Sequence, residues 1–386
     1  MNISINTKKF ANAIVSVLKA IPVKAVDFRL SDVVIIADAK NKIITLLTSN
    51  TESAVKINLP INEDTVINEE GSLEIPARIL WDIIKAVEDK TVTISSISDN
   101  TAKIAWTTGH GEIPAYNPKD YPEIKYEIKD KVTIHIPGKI LSEGIDSIKY
   151  AISNDAIRPA LNGIFFNAEE TGLILVATDA HRLGISVLQD CFPSEPSSFI
   201  LPVKAAAIVS DVFAGCDSVE LNFDNKHAIF SSEGNVVSVT NVIGKFPDYK
   251  SVIPKDNNNI LTIEKNTLKD AIKLVSVCNS KSKNTVKIEI NPEVTGTEII
   301  ISAEDIGFQT QAEQKIQAND YTGEALSIAF KSDFILETLS SLPGDSIRIE
   351  MSTTKRPVYF YSEKGEEKED KTPGLLISSI LMPVLG

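Results

Sequence analysis

The chain has 386 residues, of which 43% are hydrophobic and 24% charged, and a formal net charge of -13. That composition excludes disorder as the main state, and the length calls for two to three domains. The acidic balance excludes tight, counterion-driven binding of nucleic acid by the surface as a whole, though not by a local basic patch.

In chain order, the first predicted element is a helix from Thr7 to Ala20, where Phe10, Ile14 and Val17 form one apolar stripe. Lys8 and Lys9 ahead of FANAIVSVL give this segment a faint look of a signal peptide. Asn12, Ser16 and Lys19 interrupt its apolar run, and no stretch of the chain reaches the roughly 20 apolar residues of a membrane span. The same stripe returns at Leu141, Ile145 and Ile148, and again at Leu268, Ile272 and Val275. A second helix is predicted in each third, in IPARILWDIIKAV from Ile75, LPVKAAAIVSDVF from Leu201 and FKSDFILETLSSL from Phe330, with Pro76 and Pro202 expected in the first turn. Each leads into an alternating strand, TVTIS, SVELNF or SIRIEMS, whose equivalent positions Val92, Val219 and Ile347 follow one another at 127 and 128 residues. Between the helices lie runs such as VVIIADAKNKIITLLTS, NGIFFNAEETGLILVAT and VKIEINPEVTGTEIIIS, each read as a hairpin.

The chain therefore reads as an α+β protein of three repeated domains, each with two helices backed by mainly antiparallel sheet. The boundaries fall near Lys129 and near Pro254 to Asn258, giving domains 1–128, 129–255 and 256–386. The charge run EKGEEKEDK, Glu363 to Lys371, reads as a solvated loop.

Chemistry concentrates in LILVATDAHRLG, Leu173 to Gly184, where an apolar strand ends in Thr178, Asp179, His181 and Arg182. Two readings stand: Asp179 and His181 as an acid/base pair, or a polar rim around a docking pocket. Phosphate-loop, dinucleotide, nucleophile-elbow and zinc-helix motifs are absent from the sequence. His110, His135, His181 and His227 have no Cys or His at ligand spacing, and neither have Cys191, Cys216 and Cys278, so no metal or cofactor is expected; the scattered cysteines suggest a reducing cytoplasm.

ATDAHRLGI at Ala177, RPALNGIFF at Arg158, GKFPDYKSVIPK at Gly244 and the terminal ILMPVLG, set in this three-unit architecture, closely resemble the bacterial DNA sliding clamp family, the beta subunit of the replicative polymerase. The resemblance implies a ring-forming DNA clamp fold, closed by a head-to-tail homodimer around duplex DNA. It implies a cytoplasmic, non-enzymatic processivity factor without cofactor or membrane association. The ring would hold DNA topologically and without sequence specificity, while short peptides of the replicative polymerase, clamp loader and repair polymerases dock in a cleft.

By the same resemblance the cleft residues are Leu161, Thr178, Ala180, His181, Arg182, Leu183, Pro247, Ser251, Val252, Ile380, Met382 and Val384, with Lys331, Phe334 and Pro357 in a second lobe. Basic residues on or beside the helices, Lys19, Lys24, Arg78, Lys149, Arg158, Lys204, Lys269 and Lys273, are candidates to face DNA, Lys24 and Lys204 foremost. Ala180 departs from a usual glycine, Ser251 from a common arginine, and KAVDFRL at Lys24 from an Arg-Pro-rich pattern. A hydrolase using Asp179 and His181, and a three-domain scaffold with no DNA role, are the alternatives.

Overall fold

The computed structural model describes residues 1–22, 27–50, 52–121, 128, 130–279, 284–362 and 374–384. Lys24, Lys129 and the run from Glu363 to Lys371 lie outside them.

Each third of the chain repeats one order of elements. A strand runs directly into a helix: Asn2–Asn6 into Thr7–Leu18, Val132–Ile136 into Gly138–Ile148, and Asn259–Glu264 into Lys265–Ser276. The first of these helices is capped by the Asn6 side chain, which accepts from the Lys9 N–H at 3.0 Å and satisfies one of the unpaired donors of the first turn. The three predicted stripes are the buried faces: Phe10, Ile14, Val17, Leu141, Ile145, Ile148, Leu268, Ile272 and Val275 are all fully buried.

The second helices are Ala77–Ala86, Val203–Phe213 and Ser332–Ser341. Pro76 and Pro202 do not enter them; each is the last residue of a strand, Gly71–Pro76 or Ser197–Pro202. Each proline still pairs in register, with Asp32 or Gly163, and its missing N–H falls where the ladder ends. The strands that follow place the equivalent positions identically: Val92 faces Ile5, Val219 faces Ile136 and Ile347 faces Ile263, every one buried. The threefold repeat is thus a repeat of register as well as of pattern.

By contact the chain divides into two compact units, Met1–Ser142 with Lys204–Asn241, and Glu143–Val203 with Val242–Gly386. The division follows the sheets. In the first unit the third strand of the middle repeat's second meander, Asn235–Thr240, pairs antiparallel with Ser53–Pro60, completing an eight-stranded sheet beside a five-stranded one. In the second unit the equivalent strand of the last repeat, Leu375–Leu381, pairs with Arg182–Leu188 in a nine-stranded sheet beside a four-stranded one. Two further third strands stand at the edge of their sheets among the described residues: Gly109–Pro114 in the first unit and Thr310–Gln317 in the second.

The stretch Leu173 to Gly184 lies in this nine-stranded sheet. Strand Gly172–Thr178 and strand Arg182–Leu188 pair from Leu173↔Leu188 to Thr178↔Leu183. Gly184 admits the preceding helix: a Cβ there would lie 2.9 Å from the Ile148 Cβ. No helix among the described residues is long and apolar enough to cross a membrane.

Candidate functional site

The turn Asp179–Ala180–His181 is built from its own side chains. Thr178 Oγ1 donates to the Arg182 carbonyl at 2.7 Å and accepts from the Ala180 N–H at 3.1 Å. Asp179 Oδ1 accepts from the N–H groups of His181 at 2.9 Å and Arg182 at 3.0 Å, and its Oδ2 accepts from Arg182 Nε at 3.1 Å. Ala180 takes φ +77°, a left-handed conformation that costs a non-glycine residue roughly 1 kcal/mol. Asp179 therefore holds the turn with both oxygens, and the acid/base pair read from the sequence is not formed. The His181 carbonyl accepts from Met382 N–H at 2.9 Å, which fixes the end of the chain against the turn.

Arg182 is only 10% exposed. Besides Asp179 it reaches Glu337 through Nη1, and its guanidinium lies 4.3 Å from the Phe334 ring centre and 5.1 Å from that of Tyr150. Two rings within cation–π reach and two carboxylate partners make this arginine an internal cross-link.

Beside the turn, entirely within the second unit, opens a cavity of about 560 Å³. Leu161, Leu183 and Ile380 are its buried apolar floor, and Pro247 and Pro357 line its sides. Val252 and Met382 stand on the rim, 45% and 37% exposed. Thr178, Ala180, His181 and Arg182 complete the wall made by the turn. An apolar floor with a few fixed polar groups is the usual build of a site for a small or peptidic ligand.

The segment 243–252, from which the sequence reading took Pro247 and Val252, also brings Ile243, Gly244, Lys245, Asp248 and Tyr249 to the cavity, and Pro159 and Ala160 join them. It is pinned from beneath: Phe246 stacks on Phe165 at 4.7 Å, Asn167 Nδ2 donates to the Tyr249 hydroxyl at 3.1 Å, and Lys250 pairs with Glu169. That pairing holds the Glu169 carboxyl below the usual range. Gly244, at φ +153°, passes so close to Ala160 that a Cβ would meet the alanine methyl at 3.0 Å. The dense Gly, Pro and aromatic content of GKFPDY was the available signal.

The remaining expected residues lie elsewhere. Ser251 is exposed and bonds the Asp248 carbonyl at 2.7 Å, outside the cavity lining. Phe334 is covered by Arg182 and has Lys331 Nζ 5.4 Å from its ring. Val384 bonds the Ala329 carbonyl at 2.8 Å and lines a second, more polar cavity on the four-stranded sheet. Of the basic candidates, Arg158 lines the first cavity and pairs with Asp155 at 3.1 Å. Lys149 pairs with Asp146 at 2.9 Å, Lys273 with Asp270 at 3.6 Å, and Lys19 with Asp211. Arg78 and Lys204 are exposed second residues of equivalent helices, and Lys269 lies half-buried on the helix Lys265–Ser276.

A second electrostatic feature lies in the first unit. Asp32 and Glu74 are buried side by side, with Arg29 Nε 3.3 Å from Glu74. Burial raises Asp32 to about 6 against the pull of Glu74 and Arg29 beside it. Glu74 rises to about 7, through burial and the neighbouring Asp32 charge, against the pull of Arg29. Two buried carboxyls side by side resist ionising together, so the pair holds a proton to a higher pH than a free carboxyl does.

Comparison with known proteins gives one consistent result. Profiles described as DNA polymerase III beta subunit match in order, the N-terminal domain over residues 1–125, the central domain over 135–248 and the C-terminal domain over 250–372. The chain is similar to the beta sliding clamp of Staphylococcus aureus, 27% identical over 356 residues that cover 90% of each chain. Its fold is similar to that of a DNA polymerase sliding clamp from Bacillus subtilis, with a TM-score of 0.86 and 22% identity over 100% of this chain and 99% of the other. It is equally similar, at a TM-score of 0.86 and 19% identity over 100% and 99%, to a Pseudomonas aeruginosa sliding clamp solved bound to griselimycin.

Proposed function

The chain belongs to the DNA polymerase III beta subunit family, and from that membership we propose that it is a sliding clamp: a non-catalytic processivity factor that encircles duplex DNA in the cytoplasm as a head-to-tail homodimer. The observation that carries this reading is the pattern of joined and open strand edges. In the middle and last repeats the third strand of the second meander pairs with the third strand of the preceding repeat's first meander, at 235–240 with 53–60 and at 375–381 with 182–188. One strand of each kind is left over among the described residues, Gly109–Pro114 and Thr310–Gln317. A second copy satisfies both by the same pairing, and closure by symmetry leaves neither of these two edges open. Leu274, Val277, Ile306 and Phe308 are 58 to 84% exposed, and the hairpin carrying the last two is tied to Cys278 by Thr310 at 3.2 Å. An apolar patch at an open edge suits a contact between copies. Sedimentation should give twice the chain mass at low concentration; a strict monomer would remove the reading.

Three domains, 1–128, 129–255 and 256–386, account for the repeat. Topological retention is compatible with a net charge of -13, since grip need not come from summed phosphate contacts. Among the basic candidates Arg78 and Lys204 serve the DNA best. Each sits in a helix's first turn, where the macrodipole disfavours a cation by roughly 0.3–1 kcal/mol, so each is placed at a small cost to stability. Lys24 remains part of the proposal by resemblance. Lys149 and Lys273, each beside an aspartate, offer weaker contacts, and Arg158 serves the cleft.

The cavity beside Thr178–Leu183 is the docking cleft for peptides of the polymerase, clamp loader and repair polymerases. Its apolar floor takes the anchors, while the turn supplies fixed polar groups. Met382→Ala should abolish polymerase stimulation while leaving the dimer intact. Stimulation that survives the substitution would place docking elsewhere.

A further inference from the structure

Arg182 looks, in the sequence, like a cation offered to a partner. Its surroundings make it otherwise. Nε is taken by Asp179 at 3.1 Å and Nη1 by Glu337, so one positive charge stands between two negative ones. Phe334 and Tyr150 also hold their rings within cation–π reach of it. The Tyr150 hydroxyl is itself held, donating to Ser379 at 2.9 Å. Asp179 is committed to the turn, whereas Glu337 is half exposed and reaches Arg182 from the helix Ser332–Ser341.

We propose that Glu337 is a positioning and specificity-determining residue for the docking cleft: it neutralises Arg182, keeps the guanidinium over Phe334, and sets this wall against peptides that bring a carboxylate to it. The proposal rests on the cleft reading and concerns the residues between a peptide's apolar anchors. A carboxylate approaching Arg182 meets the arginine together with two fixed carboxylates, a local charge of minus one. A neutral side chain meets no such penalty. Discrimination here comes from a repulsive element built behind the apparent attractive one. Glu337→Gln keeps an oxygen to accept from Nη1 and removes the charge, making the wall neutral. One unit charge several ångströms away, in a half-exposed setting with effective dielectric above 20, changes affinity by about fivefold.

The test uses the full chain and a synthetic peptide with two leucine anchors, plus variants in which each non-anchor residue is replaced in turn by Asp. Fluorescence anisotropy gives each dissociation constant for wild type, Glu337→Gln and Glu337→Asp. At least one Asp variant should bind wild type more weakly than the parent and recover about fivefold with Glu337→Gln at low salt, the gain shrinking below about twofold near 1 M salt. The parent should bind all three proteins within about twofold, and Glu337→Asp, which keeps the charge, should discriminate as wild type does. A Glu337→Gln effect equal for the parent and every Asp variant, or no effect on any, overturns the proposal alone. Failure of the parent to bind wild type overturns the cleft reading and the proposal with it.

Discussion

Replacing Glu74 by glutamine should make the first unit more stable at alkaline pH, a counterintuitive outcome for loss of a residue ion-paired with Arg29. Glu74 is fully buried beside Asp32, with Arg29 Nε 3.3 Å away as one cation facing two carboxyls, so the pair favours keeping a proton. Folding raises Glu74 from 4.5 to about 7 and Asp32 from 3.8 to about 6. A carboxyl whose pKa is raised on folding holds its proton more tightly in the folded state. Stability from the retained proton is therefore complete below about pH 4 and is lost as pH rises toward 7. Each pKa unit corresponds to about 1.4 kcal/mol, so a shift of this size costs on the order of 3 kcal/mol once the pair is forced to ionise. The introduced glutamine supplies a permanent N–H to Asp32 and still offers an oxygen to Arg29, and should recover on the order of 1–2 kcal/mol of this at pH 8. Hydrogen exchange under increasing urea, read on the strands Asp32–Asp38 and Gly71–Pro76 at pH 5, 6.5 and 8, measures it locally. Wild type should lose protection as pH rises and the variant should not; parallel profiles for the two would refute the retained proton.

Gly184→Ala drives a methyl to 2.9 Å from Ile148 Cβ and should destabilise the second unit by about 1–3 kcal/mol in urea unfolding, with peptide binding lost in parallel. Asp179→Asn removes the charge behind three hydrogen bonds that build the turn. It should weaken peptide binding and lower the melting temperature, a cost on the order of 1–3 kcal/mol. Leu274→Ser with Phe308→Ser exposes polar groups in place of two large apolar side chains. If each of the four side chains lost from the two equivalent interfaces buries about 1.5 kcal/mol in the dimer, dissociation measured by sedimentation should rise on the order of 10,000-fold, with each unit's fold unchanged by circular dichroism.

The fold was legible because its signals are local. Phe10, Ile14 and Val17 announce a buried helix face by spacing alone, and the same face recurs at both later positions. Helix starts were misread at Pro76 and Pro202, since a proline that opens a helix and one that ends a strand look alike until the strand's partner is known. The cleft was legible as a motif but not as a shape. Leu161, Thr178, Leu183, Val252 and Met382 meet around one cavity. Phe334 and Ser251 do not, because Arg182 lies over one and the turn at Asp248 directs the other outward. Asp179 and His181 invited an acid/base reading only while the backbone N–H groups that occupy the carboxylate were out of view. The Asp32–Glu74 pair had no sequence signal, since each lies in an apolar strand and only the register between them brings the carboxyls together.

Topological retention on DNA separates a ring that encircles the duplex from a protein that grips its phosphates. The chain is loaded by a clamp loader onto a nicked circular duplex, separated from free protein at about 0.5 M salt, and the circle is then cut once with a restriction enzyme. A sliding clamp remains with the intact circle and is lost from the cut one. Equal retention on both, or loss from the circle with the steep salt dependence of direct phosphate binding, would contradict the account.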